Sequence, residues 1–357
     1  MTLARLVTLA LLATLCACAS APPRPDVLAR IDTITPDTAR AQVEAITDLG
    51  PRSNANPDIV KKALEHIADT LRSYGYEPYE EGFMAATQVL NPEPKDDGSD
   101  SITIIFGYDS TPRPYVNLVA EKRGWRNPDE VIELVAHYDT VLGTVGADDN
   151  ASGVAALLEM ARLAADVPTE RTIRFLFVGL EEQGLHGSRA HVAQWLEREA
   201  AGTAETLDSI LVIDSIAYAD HSPGSQHSPF IRIPLLFWLP KTADFIALGG
   251  TWDSSSVAAD LEGDIERYVP ELPIYAAKHL AGWTEAKSRT DAGPYWEHDL
   301  PAIFIGDTSN YRSPHYHQRT DTPDTLDYEF LSRVTRGCAA WMLERAGLPP
   351  LPEGGAD

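Results

Sequence analysis

Three apolar runs in this chain, VIELVA, TIRFLFVGL and SILVI, stop at acids or imidazoles: His137 and Asp139 after the first, Glu181 and Glu182 after the second, Asp214 after the third. Short runs rich in Val, Ile, Leu and Phe read as buried strands. Charged groups where a buried strand stops are costly unless they are paired or bound to metal. The chain therefore needs a fold that carries several strand ends to one place.

Alternation of strands and helices supplies it. Helical spacing is expected from the Thr35-Pro36-Asp37 start to Leu49, from Pro57 to Tyr74, over Gly153–Ala165, over His186–Glu199 and, at the end, over Glu329–Ala346. Strands are expected at Ile102–Tyr108, Val116–Glu121, Val131–His137, Thr172–Val178, Ser209–Asp214, Ile274–Ala277 and Ala302–Ile305. The first two should form an antiparallel hairpin across Asp109–Pro114, with Asn91 to Ser101 as a loop and Asp220 to Thr251 as a loop or lid. The pattern predicts an α/β fold whose mixed, mostly parallel central sheet carries helices on both faces.

The first twenty residues, MTLARLVTLALLATLCACAS, read as a targeting segment too short to span a bilayer. Leu15-Cys16-Ala17-Cys18 resembles a bacterial lipobox, so residues 1–17 are expected to be a signal peptide and Cys18 the lipidated first residue of an exported, membrane-anchored, periplasm-facing protein. A cleaved secretory signal is the alternative. A Pro-rich tether (18–30), one catalytic domain (31–347) and a short tail (348–357) follow. After cleavage Cys338 is the remaining thiol, so no disulfide can form within the chain. Its 357 residues and 44% hydrophobic content suit one sizeable core, and a formal charge of −24 argues against nucleic acid and against electrostatic docking on anionic lipid.

The polar residues fall into sets. His137 and Asp139 form H-x-D at a strand's carboxyl end, where open α/β sheets place their ligands. Asp148, Asp149 and Asn150 precede Ser152-Gly153 at a helix start; N-capping accounts for one or two of them but does not require two adjacent acids. Glu181 and Glu182 repel each other unless a cation lies nearby or one holds a proton. His315, His317 and Asp321 sit in the loop SPHYHQRTDTPDTLDY before the last helix. Acids and histidines of this type are the ones that bind zinc.

The pieces AHYDT, GADDNASGVAALLEMA, FVGLEEQGLHGS, LVIDS and YHQRTDTPDTLDY, in this order, resemble the M28 family of zinc aminopeptidases, with a weaker match at LGPRSNANPDIVKKALEHIADTLRSYGY. The short interval from His137 to Asp149, closed by Ala-Ser-Gly, separates it from the related M20 peptidases. The resemblance implies a zinc-dependent exopeptidase fold and two zinc ions per chain. His137, Asp149 and Asp214 would bind one ion, and Asp149, Glu182 and His317 the other, with Asp149 bridging. Asp139 would orient the His137 imidazole, and Glu181 would be the general base in hydrolysis of an N-terminal peptide bond by a hydroxide between the two ions. Peptides with a free N-terminus would be the substrates.

Departures and alternatives remain. Where relatives carry Ser-Asp-His, this chain has Thr290-Asp291-Ala292, which leaves Asp291 as a candidate contact for the substrate amine. Tyr311 is a candidate oxyanion donor, or a loop-packing residue. His315 and His186 are further candidates near the ligand set. A one-zinc glutaminyl cyclase, a carboxypeptidase using Arg289, Arg312 or Arg319, and a non-catalytic binding lipoprotein are the competing functions.

Overall fold

The computed structural model describes residues 21–94, 102–108, 111–227, 240–277 and 287–349, with backbone alone for 88–94 and 102–108. Its strands are β1 (Tyr79–Ala85), β2 (Gln88–Pro94), β3 (Ile102–Tyr108), β4 (Arg113–Lys122), β5 (Asn127–His137), β6 (Arg171–Val178), β7 (Thr206–Ile213), β8 (Ile246–Gly250), β9 (Ile274–Ala277) and β10 (Ala302–Gly306). Its α-helices are α1 (Pro25–Ile31), α2 (Pro36–Thr47), α3 (Pro57–Ser73), α4 (Gly153–Ala164), α5 (His186–Ala200), α6 (Ser255–Tyr268), α7 (Ala292–Trp296) and α8 (Tyr328–Ala346). None of the described helices is long and apolar enough to cross a membrane.

Eight strands form one mixed sheet in the order β1-β4-β6-β5-β7-β10-β8-β9. The central strands β6, β5, β7 and β10 run parallel, and antiparallel pairs flank them. Side chains alternate across this sheet as a two-residue period demands. Ile132, Leu134 and Ala136 of β5 join the core beneath α2, α4 and α8, whereas Val131 and Val135 join a smaller core beneath α5 and α7. Ile173, Phe175 and Phe177 of β6 take the first side, Leu176 and Val178 the second. Burial on both faces explains why these strands read as unbroken apolar runs.

Local signals set several boundaries. Thr35 caps α2 in a reciprocal box with Thr38, and the Asp327 carboxylate accepts the Phe330 amide to start α8. Cys338 is buried in α8, where burial pushes its thiol up to about 12, so it is an inert core residue.

Four expectations are corrected. Ile102–Tyr108 does not form a hairpin with Val116–Glu121: it pairs antiparallel with Gln88–Pro94 in a separate two-stranded sheet, and β4 instead joins β1 and β6. The expected Asn91–Ser101 loop is strand as far as Pro94, because a two-stranded ribbon has free edges that tolerate prolines. Pro25–Ile31, inside the expected tether, is a helix whose Val27 and Ile31 are fully buried, Pro25 supplying a pre-organised first turn. The Asp220–Thr251 segment contains β8; its residues 228–239 lie outside the described residues, as does the targeting segment with Cys18.

On the α5 side, an ion network with buried His191, Glu133 and Arg174 at its centre fastens the sheet. His191 faces Glu81 through Nδ1 at 2.9 Å and Glu133 through Nε2 at 3.0 Å. Arg174 pairs with Glu133 at 3.0 Å, Glu121 at 2.7 Å and Glu205 at 2.7 Å, and Tyr295 donates to Glu133 at 2.6 Å. Burial alone would discharge His191, but the carboxylates of Glu133 and Glu81 outweigh it and push the imidazole up to about 9. A folded-state value above the unfolded one, about 6.5, gives stability that is complete below pH ~6.5 and lost as pH rises through about 9. The expected loss between pH 6 and 10 is on the order of 2 to 3 kcal/mol. Chemical denaturation of wild type and His191→Gln across that range checks it; equal pH dependence of the two proteins would rule it out.

Candidate metal centre

The parallel strands β5, β6 and β7 open at one edge of the sheet, and the polar residues gather there. His137 ends β5, Glu181 and Glu182 follow the turn after β6, and Asp214 directly follows β7. Asp149 arrives on the Ala147–Ser152 turn before α4, and His317 on the loop before α8. Three of these turns hold non-glycine residues in the left-handed region: Leu180 (φ 59°), Ser215 (φ 51°) and His317 itself (φ 57°). Such backbone costs of order 1 to 3 kcal/mol per residue and clusters where side-chain placement matters.

Two triads result, one of His137, Asp149 and Asp214, the other of Asp149, Glu182 and His317, each with its donor atoms within 4.8 Å of one another. His137 Nε2 lies 3.2 Å from Asp149 Oδ1 and 3.5 Å from Asp214 Oδ1. His317 Nε2 lies 3.1 Å from Asp149 Oδ2 and 3.2 Å from Glu182 Oε2. Asp149 therefore offers one oxygen to each triad.

The tautomer of His137 follows from its other nitrogen. Nδ1 sits 3.2 Å from the Asp139 carbonyl oxygen, which only accepts, so Nδ1 carries a proton and Nε2 is left facing two carboxylates. A nitrogen between two anions needs a positive charge there, a proton or a metal ion. Glu182 Oε1 is buried with no hydrogen-bond partner among the described residues, a second sign of an ion the protein atoms do not supply. Burial disfavours charge on His317, yet hydrogen bonds that its imidazole donates to Asp149 and Glu182 push it up to about 10. Burial and the nearby Asp149 push Glu182 up to about 7. Imidazole and carboxylate donors in two compact triads suit zinc.

Supporting residues fix these groups. The Asp139 carboxylate accepts the amides of Glu181 (3.1 Å) and Glu182 (3.3 Å), while its Oδ1 lies 3.6 Å from His137 Nδ1. It anchors the paired-glutamate turn more closely than the imidazole. Asp321 accepts the amides of Asp148 and Asp149 at 2.9 and 3.2 Å. Asn150 accepts from the Gly153 and Ser215 amides and donates to the Ile213 carbonyl, joining the Asp149 turn to the end of β7. Neither acid caps α4: Asp148 instead accepts the Ala217 amide at 2.8 Å. Gly146 is required where it stands, since at φ 55° a Cβ would fall 2.1 Å from the Asp149 carbonyl oxygen.

Arg52 was not foreseen in any role. It is fully buried and donates to the carbonyls of Tyr138 (2.7 Å), Val145 (2.6 Å) and Gly146 (3.2 Å), clamping the end of β5 to the Asp149 loop. An arginine in a loop has no periodicity to betray it.

Other predicted residues stand farther out. Glu181 belongs to neither triad; burial first, then repulsion from Glu182, Asp291 and Asp214, raises its carboxyl well above the usual range. Asp291 is buried and accepts from Ser188 at 2.6 Å; burial pushes it up to about 7, His137 opposes the shift, and Asp139 and Asp214 add to it. Its neighbours are the centre's own residues. Tyr311 turns its phenol to Arg289 (3.5 Å). The phenol facing the acids is Tyr316, whose ring stacks on His317 with centroids 3.9 Å apart; burial raises it, and Asp149, Asp214, Glu182 and Glu181 raise it further. His315 bonds Thr320 and neither it nor His186 belongs to a triad. Arg312 is buried against Gln226 and Thr308, and Arg319 lies beside Gly143.

The sequence profile described as Peptidase family M28 matches residues 117–342. The chain belongs to peptidase family M28. As an M28 member it is a zinc peptidase, with peptides as its substrates. It is similar to the protein YfbL of Escherichia coli, 33% identical over 318 residues that cover 85% of this chain and 86% of that one. A probable zinc metalloprotease of Pyricularia oryzae is 25% identical, covering 92% of this chain and 68% of its own. In fold it is similar to BSAP, a zinc aminopeptidase from Bacillus subtilis (TM-score 0.66, 16% identity, 88% and 96% of the two chains). The glutaminyl cyclase of Porphyromonas gingivalis has the same fold (TM-score 0.60, 18% identity, 87% and 98%).

Proposed function

We propose that this M28 peptidase is a two-zinc aminopeptidase that releases the N-terminal residue of peptides. The observation that carries the proposal is Asp149: its two carboxylate oxygens face separate triads, each with its own imidazole and its own second carboxylate. His137, Asp149 and Asp214 would hold one ion, and Asp149, Glu182 and His317 the other. Zinc so held polarises a carbonyl and lowers the pKa of water toward neutrality.

The chain's own residues do the rest. Glu181, outside both triads, takes the proton of the attacking water and passes it to the leaving amine. Glu182 is needed beside it because one carboxylate cannot be both a full ligand and a free base. Asp139 fixes both through their amides. Tyr316, beside His317, places a phenol O–H next to the reacting carbonyl and donates to the oxygen on which charge develops. Asp291, buried beside the centre and held by Ser188, gives the substrate's free amine an acceptor.

The test is hydrolysis of a peptide with a free N-terminus beside the same peptide acetylated there, before and after chelation and return of zinc. Zinc-restored cleavage of the free peptide alone is expected; cleavage of the blocked peptide, or cyclisation of N-terminal glutamine in its place, would refute the aminopeptidase assignment.

Export and a lipid anchor at Cys18 belong to the same proposal, supported by the LCAC motif. Arg24 donates to the carbonyls of Leu348 and Pro349 beyond α8, and Gly347 accepts the Glu170 amide just before β6. The described chain thus begins at the edge of the sheet opposite the metal centre, and an anchor ahead of it would leave the centre facing water. Palmitate labelling in cells that is lost in Cys18→Ser is expected; labelling unchanged by that substitution would refute it.

A further inference from the structure

Around the metal centre the described ionisable groups are mainly acids and imidazoles; Arg52 is buried beneath it against three carbonyls, whereas Arg289 stands exposed at its rim. Arg289 lies two residues before Asp291, exposed, with one guanidinium nitrogen donating to Asn310 Oδ1 at 2.9 Å and another 3.5 Å from the Tyr311 hydroxyl. Its carbon lies 6.0 Å from the Tyr311 ring centre. Tyr316 faces Asp149, Asp214, Glu182 and Glu181. The guanidinium is therefore tied to the reacting centre twice, through Asp291 two residues on and through the 310–317 loop that carries Asn310 at one end and His317, stacked on Tyr316, at the other. Among the described residues the hydrogen-bond partners of Arg289 are an amide and a phenol, neither of them an acid, in contrast to Arg174, which meets three carboxylates. In a chain with a net charge of −24, an uncompensated guanidinium at an acidic site marks a place for an anion. Its fork, with Asn310 beside it, matches a carboxylate.

Building on the aminopeptidase proposal, we infer that Arg289, with Asn310, forms a subsite for a substrate carboxylate within one residue's reach of the scissile bond. Two sources present such a group: the free C-terminus of a dipeptide, or the acidic side chain of an N-terminal Glu or Asp. The subsite makes the protein selective for short or acidic peptides against the long-range repulsion of its own surface.

The test measures kcat/KM of zinc-loaded wild type, Arg289→Gln and Arg289→Lys on Leu-Leu, Leu-Leu-amide and Glu-Leu-amide. A charge-assisted hydrogen bond to a carboxylate corresponds to a change of about 10- to 100-fold. A fall of that size in the Leu-Leu to Leu-Leu-amide ratio in Arg289→Gln, carried by KM and partly restored in Arg289→Lys, assigns the subsite to the C-terminal carboxylate. The same fall in the Glu-Leu-amide to Leu-Leu-amide ratio assigns it to the acidic side chain. Equal losses on all three substrates would mean that Arg289 only positions Tyr311 and Tyr316, and would overturn the subsite while leaving the aminopeptidase proposal in place. Failure of the wild type to cleave any of the three overturns both.

Discussion

Replacing Glu181 by glutamine is expected to lower kcat on an unblocked peptide about 10³-fold while leaving zinc content unchanged. The two halves of this result have separate causes. Glu181 is in neither donor triad, so loss of its charge removes no ligand. Glutamine keeps the shape of the side chain and the amide that Asp139 accepts at 3.1 Å, so the turn carrying Glu182 stays in place. What disappears is a carboxylate next to Glu182 that is free to accept a proton and return it. A parallel fall in metal content and activity would show Glu181 to be a ligand; retained activity would pass the proton transfer to another residue.

Asp149→Asn is expected to have the larger structural consequence. The substitution preserves the backbone amide that Asp321 accepts at 3.2 Å, and the side chain is isosteric, so the turn is retained. It removes the single anion that both imidazoles face at 3.1 and 3.2 Å. Both triads lose a ligand at once, and zinc content should fall below one per chain with kcat/KM down at least ~10³-fold, since ligand loss weakens metal binding and catalysis together. Asp214→Asn is the control: it belongs to one triad only and should spare the other. Elemental analysis and steady-state rates on both variants check this. Equal losses in the two, or two zinc retained in Asp149→Asn, would remove Asp149 from the shared position.

The legible parts of the fold are those governed by local pattern. Period-two burial on both faces made β5, β6 and β7 readable as apolar runs, and parallel packing then obliged His137, Glu181, Glu182 and Asp214 to share an edge. Pairing partners were harder. Val116–Glu121 reads as half of a hairpin because its sequence neighbour is another strand, yet its partners are β1, thirty-odd residues upstream, and β6, more than fifty downstream. Pro92 and Pro94 hid β2, since prolines argue against a strand unless its edge is free. Helix α6 follows a run of Asp and Ser that could have announced it, although Ser254 makes no side-chain cap in the structure.

The same division runs through the metal centre. Residue types and spacing point to the ligand candidates, but the choice between Tyr311 and Tyr316 depends on which way each ring turns from its loop. Arg52 acts through three carbonyls contributed by residues about 86 to 94 positions away, and no pattern in LGPRSNANP encodes that. Asp139 is similar: H-x-D suggests an orienter of the imidazole, whereas the amides of Glu181 and Glu182 become its partners only once β5 and β6 lie side by side.

The most direct test of the shared-carboxylate arrangement is calorimetric titration of zinc into chelator-stripped protein, with elemental analysis of the saturated product. Two zinc bound per chain, with the second site abolished together with the first in Asp149→Asn, is the predicted result. Saturation at one zinc per chain in the wild type, with full peptidase activity, would contradict it.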